Sequence, residues 1–234
     1  MKLEVYLAYD DEVASKERNA PGVLVIPEWW GLTDYPKSRV EQLARLGYVA
    51  FAADMYGAGV TTTDAKKAGE LARPFYGKPL MHERARAGLD QLLATGLVDT
   101  SHVAAIGYCF GGSAALALAY TGAPLAGVVG FHASFFPVPE DAAAKTKAKL
   151  LICHGAIDPF IEADELAGFI KSMDSGKFDY QFVSYAGAIH AFTNPGADKL
   201  AAANELTGKV GHNAAADKRS WEHMKVFFKE VLGK

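Results

Sequence analysis

The sequence predicts an α/β fold in which a mostly parallel central sheet carries helices on both faces. Short segments rich in β-branched and aromatic residues alternate with longer segments whose apolar residues recur at helical spacing, which is the pattern of βαβ units. Several short segments are apolar throughout, as expected for strands buried on both faces of a parallel sheet. Ligands of such a sheet bind at the carboxyl ends of its strands.

The predicted elements begin with a strand over residues 22–27 and a helix over residues 36–46, in which Val40, Leu43 and Leu46 lie at helical spacing. Further strands are predicted over residues 48–53, 102–107, 125–131, 149–155 and 178–185. Further helices are predicted over residues 81–94, 111–120, 163–173 and 215–232. No clear period is found in residues 55–65, 135–146 and 188–203.

Composition and charge exclude several classes of protein. Of the 234 residues, 50% are hydrophobic and 22% are charged, which excludes a disordered or fibrous chain. A chain of this size hides about 70% of its surface on folding, and no linker interrupts it, so we expect one domain over residues 1–234. The net charge of -3 provides no basic surface for nucleic acid or an anionic membrane. A small-molecule partner fits better.

Targeting signals and cysteine usage bear on the compartment. The N-terminal segment has no uninterrupted apolar stretch, and no run of about 18 apolar residues occurs, so we expect neither a signal peptide nor a membrane span. The two cysteines, Cys109 and Cys153, are too few for a disulfide framework. We therefore expect a cytoplasmic protein that is a monomer or a small homo-oligomer.

The most informative motif is Gly107-Tyr108-Cys109-Phe110-Gly111-Gly112, between a predicted strand and a predicted helix. It matches GxSxG with cysteine in place of serine, the pattern of a nucleophile on a sharp strand-to-helix turn. Glycines on either side remove Cβ atoms that would collide with neighbouring backbone. The helix start supplies N–H groups and a positive dipole end, which favour a thiolate and a nearby oxyanion. The alternative is a buried cysteine in a tight glycine turn.

An activated thiol needs a base, and the base needs an orienting acid. Asp158 follows the strand over residues 149–155, and His190 follows the strand over residues 178–185, so the chain order is nucleophile, acid, histidine. Taken alone, Asp158 is also compatible with a turn aspartate before proline, and His190 with a surface loop histidine. Cys153 and His154 are predicted to lie in or near the core, whereas His132 fits either a pocket or packing.

The loop after the first predicted strand begins Glu28-Trp29-Trp30. In this architecture that loop provides one oxyanion-hole N–H and the residue after the nucleophile provides the other, so Trp29 and Phe110 are the candidates. Glu28 could contact the resting thiol, or it could be an exposed loop acid. Five aromatic residues are candidates for an apolar pocket, with ordinary packing as the alternative: Tyr56, Phe75, Tyr76, Phe135 and Phe136.

The segments EWWGL, AADMYG, GYCFGGS, HGAIDPFI and GAIHAF together resemble the dienelactone hydrolase family of α/β-hydrolases. The resemblance spans about residue 23 to the final helix and implies an α/β-hydrolase fold without a metal or organic cofactor. It also implies Cys109 as nucleophile, His190 as base and Asp158 as its orienter. The family's glutamate, which interacts with the thiol before substrate arrives, matches Glu28.

The chain departs from the family pattern after the histidine. Members that cleave dienelactone resemble one another in an arginine that grips the substrate carboxylate, whereas this chain has Asn194. Asparagine cannot supply a charged bidentate fork. The resemblance therefore extends to the fold and the hydrolytic chemistry but not to dienelactone as the substrate.

The sequence thus predicts a hydrolase of small esters or lactones that acts through a thioester on Cys109. One alternative within enzymes is thioester hydrolysis or another α/β-hydrolase reaction. A second alternative is a redox-sensing or ligand-binding protein that uses Cys109 as an oxidisable thiol. Asp158 and His190 argue against this second alternative, because redox sensing needs neither a base nor a group that orients it.

Overall fold

The central sheet has seven strands in the order β1-β3-β2-β4-β5-β6-β7 in a computed structural model, which describes residues 3–15, 17 and 19–233. The strands are β1 (Val5–Ala8), β2 (Ala20–Ile26), β3 (Val49–Ala53), β4 (Val98–Tyr108), β5 (Gly127–Phe131), β6 (Lys149–Gly155) and β7 (Tyr180–Tyr185). Only β1, at the edge, pairs antiparallel with its neighbour. The predicted mostly parallel sheet is confirmed.

Helices connect the strands. They are α1 (Asp34–Arg45), α2 (Ala65–Ala72), α3 (Leu80–Ala94), α4 (Phe110–Tyr120), α5 (Ala142–Lys145), α6 (Ala163–Ser175), α7 (Ala197–Ala203) and α8 (Ala214–Leu232). In the described part of the chain, none of these helices is both long and apolar enough to cross a membrane.

Alternate side chains of the strands enter two separate cores on the two faces of the sheet. Along β2, Leu24 and Ile26 pack with residues of α3, α4 and α6, while Val23 and Val25 pack with residues of α1 and α8. Both faces are therefore covered by helices, as predicted. This double burial explains why the central strands are apolar throughout.

The structure adds four elements that the sequence pattern did not predict. Strand β1 has four residues, alternates between exposed and half-buried side chains, and lies at the sheet edge, so its apolar signal is weak. Helices α2, α5 and α7 have eight, four and seven residues, which is too short for a clear helical period. Strand β4 begins at Val98, four residues before its predicted start, because polar residues mask its first half.

A buried ion pair ties α1 to α8 and to the segment after His190. The Arg39 guanidinium on α1 pairs with Asp217 on α8, and the side chains of the two residues are 6% and 19% exposed. The same guanidinium donates a hydrogen bond to the carbonyl oxygen of Thr193, at 2.7 Å. Arg39 therefore fixes the backbone at Thr193, three residues beyond His190.

Replacing Asp217 should therefore destabilise the fold. Asp217→Ala leaves the Arg39 charge buried without its counter-ion, and we expect the free energy of unfolding to fall by about 3 kcal/mol in urea titrations. The matched control is Asp90→Ala, which removes a pair with Arg86 whose side chains are 48% and 52% exposed; its cost should be below about 1 kcal/mol. Equal losses for the two variants would contradict this assignment.

Candidate active site

Cys109 lies at the turn between β4 and α4 with a left-handed backbone, φ 54° and ψ -119°. Non-glycine residues rarely adopt this conformation, and they do so chiefly where the surroundings impose it. Here the Cys109 N–H donates to the carbonyl of Phe131 on the neighbouring strand, at 2.9 Å. The turn thereby presents the thiol at the carboxyl end of the sheet.

Two glycines allow this turn to form. A Cβ at Gly107 would lie 2.0 Å from the carbonyl oxygen of Gly111. A Cβ at Gly111 would lie 2.2 Å from the carbonyl oxygen of Ile26. Because both obstacles are backbone atoms that cannot rotate away, any side chain at these positions would displace Cys109.

The structure brings Cys109, His190 and Asp158 into one hydrogen-bonded array. His190 Nε2 lies 3.0 Å from Cys109 Sγ, and His190 Nδ1 lies 2.7 Å from Asp158 Oδ2. Asp158 occupies the turn after β6, where its Oδ1 accepts from the N–H of Phe160 at 3.0 Å. The carbonyl of His190 accepts from the N–H of Gly211 at 3.0 Å, which anchors the loop after β7.

The electrostatics of this array favour a charged imidazole. His190 is 6% exposed, and burial by itself lowers its pKa. The negative charge of the Cys109 sulfur and the bond to Asp158 outweigh burial and hold the pKa of His190 well above its usual 6.5. The imidazolium form of His190 is therefore favoured beside the Cys109 sulfur.

The array opens into a small cavity, here called the reaction cavity, of about 180 Å³. Its lining consists of Glu28, Trp29, Trp30, Tyr76, Cys109, Ser134, Phe160, His190, Ala191 and Val210. The Phe160 ring meets the His190 ring edge-on, with centroids 5.1 Å apart, and shields one side of the imidazole. No group of three or more potential metal-ligating side chains occurs among the described residues.

Glu28 reaches this cavity as a buried carboxyl. It is 2% exposed, so the alternative of an exposed loop acid is wrong. Its Oε2 accepts a hydrogen bond from Asn194 Nδ2 at 2.7 Å, while the thiol of Cys109 is bonded to His190. Burial raises the pKa of Glu28 to about 7, against the opposing effects of the Asn194 amide and the positive charge of His190.

The two candidate oxyanion donors belong to the residue after Cys109 and to a residue of the cavity lining. Phe110 is the first residue of α4, and the first N–H groups of a helix have no intrahelical acceptor. Trp29 lines the reaction cavity, and its carbonyl accepts from the Tyr56 hydroxyl at 2.7 Å. This bond fixes the peptide that follows Trp29 and holds the loop against the cavity.

Cys153 and two further histidines, His132 and His154, lie in the interior of the protein. His132 is fully buried, bonds to Thr193 Oγ1 at 2.7 Å and packs against the His190 ring at 5.4 Å, so packing is the correct alternative for it. Burial and the charge of His190 keep the pKa of His132 well below its usual value. His154 and Cys153 are also buried, as predicted.

Sequence reasoning missed the residues that support the array from behind. Thr193 bonds both His132 and the Tyr35 hydroxyl, and Asn194 holds Glu28. Both come from the non-periodic segment after His190, where Thr193 is marked only by its proximity to a candidate base and Asn194 only by its departure from the family pattern. Phe160 has a similar signal, since it follows Asp158 by two residues.

A seven-stranded mostly parallel sheet with Cys109 on a strand-to-helix turn and His190 beyond a later strand defines an α/β-hydrolase fold. The family model of the dienelactone hydrolase family matches residues 3–232. The chain therefore belongs to the dienelactone hydrolase family and is an ester or lactone hydrolase of that class.

Individual relatives agree with this family. The solved structure described as "m3DLH" is 36% identical, with a TM-score of 0.89, over 97% of this chain and 91% of its own. A dienelactone hydrolase-like promiscuous phosphotriesterase from metagenomic libraries is 35% identical, with a TM-score of 0.86, over 99% of both chains. A protein from Aquifex aeolicus, provisionally named a carboxymethylenebutenolidase, is 27% identical over 78% of this chain and 80% of its own.

The glycine turn yields a prediction about activity. Gly107→Ala should lower kcat/KM for p-nitrophenyl acetate by at least about 100-fold, because the new Cβ displaces the turn that carries Cys109. The matched control is Gly168→Ala on α6, where a Cβ meets nothing within 4 Å; this variant should keep full activity and gain about 0.5 kcal/mol in stability. Normal activity of Gly107→Ala would contradict the close contact.

The raised pKa of Glu28 predicts a pH-dependent stability. Since the pKa is about 7 in the folded protein against a usual 4.5, the contribution of protonated Glu28 is complete below about pH 4.5 and is lost as pH rises through about 7. The free energy of unfolding of Glu28→Gln, measured relative to that of the wild type, should therefore increase by about 3 kcal/mol as pH rises from about 4.5 to above 7.

Unfolding titrations of both proteins between pH 4 and pH 8.5 measure this difference. Asn194→Ala removes a hydrogen bond that lowers the pKa, so in the Asn194→Ala background the change should move to higher pH. A stability difference that does not vary with pH would contradict the raised pKa.

Proposed function

We propose that this protein hydrolyses small esters or lactones with Cys109 as nucleophile, His190 as acid and base, and Asp158 as the group that orients His190. The observation that carries the proposal is the array itself: 3.0 Å from Sγ to Nε2 and 2.7 Å from Nδ1 to Oδ2, beside a cavity. The Asp158 carboxylate binds Nδ1–H, which leaves Nε2 to exchange a proton with sulfur and substrate.

The first half of the reaction forms a thioester. The Cys109 thiolate attacks the carbonyl carbon of the ester, and the electron pair of the C=O bond moves onto oxygen. When the tetrahedral adduct collapses, the C–O bond to the alcohol breaks, and the His190 imidazolium gives its proton to the leaving oxygen. In a lactone the alcohol remains attached to the acyl group.

The second half releases the acid. Neutral His190 takes a proton from water, and the hydroxide attacks the thioester carbonyl. Collapse of this second adduct breaks the C–S bond and restores the Cys109 thiolate beside the His190 imidazolium. Thiolate leaves a tetrahedral adduct more readily than an amine does, so activated esters and lactones fit this site and ordinary amides do not.

In this proposal the backbone N–H groups of Trp29 and Phe110 bind the oxyanion. Each such donor is typically worth about 2.7 to 4 kcal/mol in the transition state. Glu28 is positioned to repel an anionic acid product once the carboxyl is ionised, and its burial beside the cavity supports this role. The same buried carboxyl is the group that would contact the thiol if the side chain of Cys109 rotated away from His190.

A second candidate reaction is attack of the Cys109 thiolate on a phosphotriester. It is favoured by the 35% identity over 99% of both chains to the promiscuous phosphotriesterase. The same array and N–H donors would serve, since both reactions develop negative charge on an oxygen next to the attacked atom. Parallel assays with a carboxylic ester and a phosphotriester separate the two activities.

Cysteine replacement tests the proposal. Cys109→Ala should lower the hydrolysis of p-nitrophenyl acetate by at least about 1,000-fold, whereas the matched control Cys153→Ala should retain most of the activity. Rapid-quench intact-protein mass spectrometry should detect an acetyl adduct on the wild type and on Cys153→Ala but not on Cys109→Ala.

Two outcomes would overturn the mechanism. One is undiminished turnover by Cys109→Ala, and the other is an acetyl adduct on a different residue. Reversible oxidation of Cys109 by peroxide, in a protein that hydrolyses none of a panel of activated esters and lactones, would support the redox-sensing alternative instead.

A further inference from the structure

A second and larger cavity lies next to the reaction cavity, on the face of the sheet that carries α3 and α4. This side chamber, as we name it, has a volume of about 430 Å³ against about 180 Å³ for the reaction cavity. Its apolar wall includes Met81, Leu116, Ala117, Tyr120, Phe135 and Phe136. Volume and lining are in the range typical of sites for small organic ligands.

The two cavities share a wall. Ser134 lines both of them, and its carbonyl accepts a hydrogen bond from Ser113 Oγ at 2.8 Å. Tyr76, which lines the reaction cavity, packs against Phe136 of the side chamber with ring centroids 5.5 Å apart. The Tyr76 and Phe136 rings thus contribute to the partition between the cavities, and aromatic side chains can rotate without a change in the backbone.

Helix α4 connects the thiol with the far end of the side chamber. The helix begins directly after Cys109, and Ser113, Ala117 and Tyr120 on one of its faces line the chamber in succession. From residue 113 to residue 121 the helix rises about 12 Å. The chamber therefore extends away from the sulfur as an elongated space.

The charged groups of the lining are placed at its edge, whereas the buried Ser113 hydroxyl is bonded to the carbonyl of Ser134. Lys78, Asp141 and Lys145 are exposed, and Lys145 is paired with Asp141. The walls deeper in the chamber are apolar and aromatic. Such a lining stabilises a chain or ring of carbon atoms and offers no buried counter-charge to an ionic group.

We propose that the side chamber binds an extended apolar group of the ester substrate, so that the enzyme prefers medium-chain esters to acetates. This inference rests on the proposed ester hydrolysis at Cys109. The apolar group can belong to the acyl part or to the alcohol part, because both extend from the same carbonyl. Each buried methylene contributes about 0.8 kcal/mol, which is about a fourfold gain in kcat/KM.

Two substrate series test the inference in the full-length protein. The first is p-nitrophenyl acetate, butyrate, hexanoate and octanoate, and the second is ethyl, butyl, hexyl and octyl acetate followed by pH-stat. We expect kcat/KM to rise by at least about tenfold from the shortest to the longest member of one series. A rise in the first series assigns the chamber to the acyl part, and a rise in the second assigns it to the alcohol part.

Filling the chamber should remove the preference. Ala117 is half-buried and faces the chamber, so Ala117→Phe should flatten the series that rises, with kcat/KM of its longest member falling to within about twofold of that of its shortest. The matched control is Ala167→Phe at an exposed position of α6, which should leave both values unchanged.

Competition by n-octanol gives a measurement that needs no variant. We expect n-octanol to inhibit p-nitrophenyl acetate hydrolysis competitively, with an inhibition constant at least about 100-fold below that of ethanol. No preference for long chains together with no advantage of n-octanol would overturn the inference, as would a preference that survives Ala117→Phe. Since Cys109→Ala is assayed on the acetate in parallel, these results are distinguishable from failure of the proposed mechanism.

Discussion

The left-handed backbone of Cys109 is the constraint on which the site depends. The conformation is costly for a residue with a Cβ, and the crowded contacts at Gly107 and Gly111 show that the backbone around the turn is closely packed. Stability of the sheet is thus used to hold the Cys109 thiol in an unfavourable conformation.

Behind the turn, the site is supported by a neutral histidine and by an ion pair. His132 lies between His190 and Thr193 and stays neutral, because burial and the charge of His190 oppose its protonation. The single fixed cation in this region, among the described residues, is Arg39, and Asp217 compensates its charge. His132 and the Arg39–Asp217 pair therefore keep their charge states beside His190, while Glu28 has a pKa of about 7.

The fold and the side chains of the hydrogen-bonded array were predictable from sequence because each has a local signal. A strand followed by GYCFGG specifies the turn, and strand ends mark Asp158 and His190. The Arg39–Asp217 pair joins residues 178 positions apart, and no local pattern announces such a contact. Asn194 was recognised only as a departure from the family, whereas its bond to Glu28 depends on how two distant loops meet.

Asn194 also connects the electrostatics of the site with the proposed choice of substrate. An arginine at this position would offer a positive charge both to Glu28 and to a substrate carboxylate. The neutral amide leaves the pKa of Glu28 raised by burial to about 7 and supplies no counter-ion for an anionic substrate. Position 194 supplies no positive charge, and the side chamber is apolar. In this proposal the binding energy therefore comes from hydrophobic contact. The sequence difference and the cavity thus favour the same neutral, apolar class of ester.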